Sequence, residues 1–115
     1  MVLWIGFDLQ ALIEELDDYN STALHLTARF GKEAVAAQLL PAGASVSAVN
    51  DYDQTPLHIA ALHGKSSIAN LLLQANASPT AVDKYGRTPA QWVKQQGHGY
   101  LAARLLEAEQ AAALK

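Results

Sequence analysis

The stretch NDYDQTPLHIAALHGKSSIANLLLQANASPTAV, residues 50–82, decides how the rest of the chain is read. It opens on a turn-forming Asp53, continues with Thr55 and Pro56 ahead of an apolar run, and reaches a glycine at Gly64. Thr55 caps a helix there, and proline is tolerated in a first helical turn because its missing amide would have no partner anyway. Gly64 ends that helix, since glycine enters the left-handed conformation without steric cost. A second apolar run places Ile68, Leu72 and Leu73 at i, i+4 and i+5, the stripe of a second helix that closes at Asn76.

Displaced by 33 residues in either direction, the same pattern recurs, so the chain reads as three units at 17–49, 50–82 and 83–115. The first two units are identical at 16 of 33 positions, far more than unrelated sequences share. Thr22, Thr55 and Thr88 fall in register, as do His25 and His58, and Gly31, Gly64 and Gly97. Asn20, Asp53 and Gly86 form one column of the residue types that best accept positive φ, which predicts a left-handed turn at the start of each unit. Val35, Leu39 and Leu40 repeat the stripe in the first unit, and Gly43 takes the place of Asn76. Ala28, Ala36, Ala60, Ala61 and Ala69 are small enough to let helices approach closely.

Asp-x-Tyr-Gly-Arg-Thr-Pro at 83–89, Thr-Pro-Leu-His-x-Ala-Ala-x-x-Gly at 55–64 and Leu-Leu-Leu-x-Ala-x-Ala at 71–77 resemble the ankyrin repeat family. The resemblance covers residues 17 to about 110. It implies an all-α fold, an ankyrin-like solenoid of stacked helix-turn-helix units joined by turns that project as fingers, forming one domain. Three departures carry expectations. Pro41, in the last turn of the first unit's outer helix, crowds the carbonyl of Ala37 and should end that helix early. Ser47 and Thr80 stand where the family often carries a loop asparagine, so its hydroxylation is not expected. In the third unit Ala90 and Gln91 replace Leu and His, Lys94 replaces an alanine, and Glu109 replaces a terminating glycine. The last helix should therefore run on as a C-terminal cap, ending the array by design of the sequence.

Residues 1–16 read as an N-terminal apolar segment and capping helix, with Asp8 as cap and Leu9, Leu12, Ile13 and Leu16 on one face. Val2, Leu3, Trp4, Ile5 and Phe7 form an apolar cluster that either folds back onto the first unit or meets another chain.

Composition narrows the function. The 115 residues carry 8 basic and 11 acidic side chains and no cysteine. This charge balance gives no electrostatic footprint for nucleic acid, and no stretch is long and apolar enough for a membrane span. The lack of cysteine excludes disulfides, thiolate metal sites and thiol catalysis, and fits an intracellular, cytoplasmic setting. His25 and His58 sit three residues after their threonines, which suits a hydrogen bond across the helix start rather than convergence on a metal ion. Ser66 and Ser67, near His63, read as helix caps, and Gly97-His98-Gly99 as an interhelix turn. No catalytic, cofactor or metal site is expected, so the chain reads as a monomeric non-enzyme.

What remains is recognition of another protein, as the resemblance implies: an adaptor, a scaffold or a stoichiometric inhibitor. Tyr19, Tyr52 and Tyr85 recur beside the positive-φ column, and an amphipathic ring there serves either recognition or stacking between fingers. By the resemblance, Arg29, Phe30, Leu62, His63, Gln95 and Gln96 lie on the groove side of the first helices, while Ser21, Gln54 and Arg87 flank the fingers. Trp92 aligns with Leu26 and Ile59 and is expected to pack. Asp17, Asp18, Asp51 and Asp53 make the first two fingers acidic and Lys84 with Arg87 makes the third basic, favouring a partner of opposite gradient. Docking into a larger complex through the apolar N-terminus is the alternative, and an enzyme of unknown type the remote one.

Overall fold

The structure is a computed structural model and describes residues 19–96 and 99–113. The expected N-terminal cap, Asp17, Asp18, Gly97 and His98 lie outside the described residues. Within them all regular structure is helical: α1 (Ala23–Phe30), α2 (Glu33–Leu39), α3 (Pro56–Leu62), α4 (Ser66–Gln74), α5 (Pro89–Gln96) and α6 (Gly99–Ala113).

Each pair forms for the local reasons its sequence carries. Thr22 and Thr55 cap α1 and α3 through their side-chain oxygens, and the histidine three residues on reaches back to the cap amide. Asn20, Asp53 and Gly86 take φ of 60°, 58° and 74°, the left-handed geometry expected of their column. Gly31, at φ 71°, ends α1, and a Cβ there would stand 3.1 Å from the Lys65 stem of the next unit. Asp53 tolerates its conformation better than a β-branched residue would. Asp53→Gly should raise the unfolding free energy and Asp53→Val lower it, with about 1–2 kcal/mol between the two variants in urea denaturation.

The outer helices show what the departures do. α4 runs nine residues, whereas α2 runs seven and stops two residues short of Pro41. The equivalent residues Leu39 and Leu72 nevertheless receive the same bond, the Ala44 and Ala77 amides closing back on their carbonyls at 3.1 and 2.9 Å. Ser45 and Ser78 follow, each accepting the amide of Ser47 or Thr80 at 3.3 Å. α6 continues through Glu109 for 15 residues, as the missing glycine predicted.

α1, α3 and α5 pack side by side as an inner row, each against its own outer partner, and α2 meets α4. Leu24, Leu39, Leu57, Ile68, Leu72, Leu101 and Leu105 form one continuous buried core, with Ala28, Ala36, Ala60, Ala61 and Ala69 at 0% exposure where helices touch. The outer row opens between α4 and α6 around a concavity of about 440 Å³ bordered by Asn76, Pro79, Arg104 and Ala108.

Two sequence expectations need correction. Val35 is 41% exposed although Ile68 in the same column is buried, on a helix that packs against both α2 and α3. Ser66 and Ser67 do not cap α4: they are its first two residues, the cap position is Lys65, and no side chain bonds the free amides there. The hydroxyl chemistry expected of them sits one residue too late in the chain.

Candidate functional site

The second and third fingers are built from the first residue of their units. Asn50 Oδ1 accepts the amides of Tyr52 and Gln54 at 2.9 and 3.1 Å, and Asp83 Oδ1 accepts those of Tyr85 and Arg87 at 2.9 and 3.0 Å. Asp53 and Gly86 amides close the turns onto the Asn50 and Asp83 carbonyls. Consecutive fingers are then tied together: Asp51 N–H donates to the Tyr19 carbonyl and Lys84 N–H to the Tyr52 carbonyl, both at 2.9 Å. Asn20 Nδ2 adds a bond to Asp51 Oδ1 at 2.7 Å.

The histidines fix these fingers to the helices. Thr22 and Thr55 amides each donate to a histidine Nδ1 at 3.1 Å, so the ring proton of His25 and His58 sits on Nε2. Nε2 then donates into the next finger, to the Gln54 carbonyl at 2.7 Å and the Arg87 carbonyl at 2.8 Å. Burial pushes His58 below the ordinary histidine range, outweighing the Arg87 carbonyl and Asp83, which favour its charged form. These rings are structural, as their spacing predicted.

Tyr19, Tyr52 and Tyr85 project from the fingers at 54%, 39% and 62% exposure. Tyr19 and Tyr52 lie 6.2 Å apart with rings tilted by 35°, so the first pair both touches and faces solvent. Tyr85 instead has the Arg87 guanidinium 5.9 Å from its ring. Arg87 also lies over Trp92 at 4.9 Å, and the Trp92 indole N–H donates to Asp83 Oδ2 at 2.6 Å. Burial alone would raise the Asp83 carboxyl, but the Arg87 amide, the Trp92 indole, the Tyr85 amide and nearby His58 together hold it below the usual range. Trp92 is packed against the core, as expected of its column.

Between the first two units a concavity of about 320 Å³ brings together Tyr19, Ser21, Arg29, Tyr52, Gln54, Leu62 and His63, seven of the residues the sequence singled out. Ser21 is largely covered at its edge rather than projecting. The same concavity is lined by His25, Leu26, Asn50 and Ile59, which sequence reasoning had assigned to packing or passed over. Their signal was present in the Asp-or-Asn column of Asp17, Asn50 and Asp83 and in the variation of Leu26, Ile59 and Trp92. Phe30 does not line it: at 60% exposure it stands at the end of α1 beneath the Arg29 guanidinium, 5.4 Å from the ring centre. Asp51, Lys84 and Tyr85 stay exposed on the fingers, and Gln95 and Gln96 are described as helix backbone alone.

His63 sits beside Arg29 in this concavity, and burial, Arg29 and Lys65 all lower its pKa. Among the described residues no group of three or more histidine or carboxylate side chains is placed to hold a metal ion, and no helix is long and apolar enough to cross a membrane. The arrangement offers shape, aromatic surface and hydrogen-bond donors. A family model described as ankyrin repeats (3 copies) matches residues 6–83, starting within the segment read as a cap and ending at the first residue of the third unit. No curated protein matches the chain.

Proposed function

The chain belongs to the ankyrin repeat family, whose repeats generally mediate protein–protein interaction, and we propose that it is a non-catalytic module that holds a protein partner across its fingers and groove. The role is that of an adaptor, a scaffold or a stoichiometric inhibitor. One observation carries this reading: Tyr19 and Tyr52, half-exposed and in mutual contact, stand over a concavity floored by Leu26, Ile59 and Leu62. Rigid aromatic side chains over an apolar floor are the usual material of binding hot spots. The fingers that carry them are held by backbone and histidine bonds from the neighbouring unit, so little ordering is needed on binding.

The test is capture of partners from a lysate of the source organism on the full chain and on a Tyr19→Ala, Tyr52→Ala, Tyr85→Ala variant that keeps its melting transition. Retention should fall by at least about tenfold on the variant, as expected for loss of clustered hot-spot rings. Equal retention on both proteins would remove the fingers from the interface.

A further inference from the structure

The concavity between the first two units is chemically one-sided. Its floor is Leu26, Ile59 and Leu62, its wall is Tyr19 and Tyr52, and its basic side chains are Arg29, His63 and the buried His25, whose ring is already engaged by the Thr22 amide and the Gln54 carbonyl. Among the described residues no carboxylate lines it: Asp51, on the adjacent finger, is engaged by Asn20 at 2.7 Å, and Asp83 is buried under Trp92. Arg29 stacks on Phe30, which occupies one face of the guanidinium and leaves its in-plane donors for a carboxylate. Among the described residues no acidic side chain pairs with it. His63 stands next to this guanidinium, and burial first, then Arg29 and Lys65, lower its pKa.

We propose that this concavity takes an acidic peptide segment of a protein partner, seating an apolar side chain against the Tyr19 and Tyr52 pair on the Leu26, Ile59 and Leu62 floor and a carboxylate against Arg29 and His63. In an extended segment the side chains at i and i+2 share one face about 7 Å apart. A space of about 320 Å³ accommodates one such pair, an apolar residue and an Asp or Glu two positions along. This rests on the reading of the fingers and groove as the binding surface, and adds the class of partner. It also reverses, at the first two units, the preference for basic partners expected from the acidic finger tips, because the floor and not the tips makes the closest approach.

Panning a phage-displayed library of random dodecapeptides on the full chain tests it. The selected peptides should be enriched in Asp or Glu two residues from Phe, Leu, Ile or Met. Their affinity should fall by about tenfold or more on Arg29→Glu, where an attractive contact becomes a repulsive one, and on Tyr52→Ala. Arg29 and Tyr52 are exposed, so both variants keep the fold, which a thermal melt checks. Peptides without acidic bias that bind Arg29→Glu as well as the parent, yet are lost on Tyr52→Ala, overturn the acidic class and leave the groove reading standing. Peptides retained equally on both variants overturn the groove reading itself.

Discussion

His58→Ala is expected to lower the unfolding free energy by about 3–5 kcal/mol, a large share of what holds a domain of this size. The ring is 0% exposed and fills space between α3 and the third finger. Its removal leaves a cavity, strands the Thr55 amide and takes one of two donors from the Arg87 carbonyl, which keeps the Asp83 amide at 3.0 Å. A buried unsatisfied amide costs about 1–3 kcal/mol before relaxation. The chain contains its own control, because Gln91 occupies this column in the third unit and its Oε1 accepts the Thr88 amide at 2.9 Å. His58→Gln keeps the near bond and gives up the reach to Arg87, so its cost should be about 1–2 kcal/mol. A linear urea series on both variants separates the two contributions.

The same ring sets a pH dependence whose sign follows from its burial. His58 has a folded-state pKa below its unfolded value of about 6.5, so the folded chain binds fewer protons. Its contribution is complete above about 6.5 and is lost as pH falls from there toward the folded pKa. Asp83 acts in the same direction further down, since its carboxyl is held below the ordinary value of about 3.9 and its contribution disappears as pH falls through that range. The melting temperature should decline between pH 7 and pH 5, and His58→Gln should flatten that decline. An unchanged slope in the variant would assign the titration to another group.

Leu72→Ala should cost about 3–5 kcal/mol, whereas Leu106→Ala should cost less than about 1 kcal/mol. The chemistry deleted is identical and the environments are not. Leu72 is at 0% exposure in the core, on the helix α4 that packs against α2 and α3, while Leu106 on α6 is 39% exposed. Removing Leu72 leaves a void that flanking alanines, already in contact, cannot close. Because repeat arrays can unfold in parts, circular dichroism and tryptophan fluorescence should be compared in each denaturation. Equal costs for the two leucines would contradict the packing described.

Much of this architecture was legible before any coordinates. The positive-φ column, the Thr and His cap pairs and the shortening of α2 ahead of Pro41 each follow from chemistry confined to a few neighbouring residues. The errors share a cause as well. Val35 matched the core stripe of Ile68, but periodicity says which residues share a helix face and not whether a neighbour covers that face. Ile59 packs in the core as its column suggested, and what the sequence did not display is that it and Leu26 also border the groove. The chain order of charges, by contrast, does not display that Arg29 and His63, 34 positions apart, stand in one concavity.

By itself, then, the sequence determined the 33-residue register, the turns, the helix pairs and the histidine caps, since these arise from backbone preferences and short-range bonds repeated in each unit. The tertiary structure decided how those units meet. Stacking brings Tyr19 against Tyr52, turns Tyr85 toward Arg87 and gathers an apolar floor with Arg29 and His63 under the first pair of fingers. Those relations depend on distances between residues far apart in the chain, which are set when buried surfaces of adjacent units pack together.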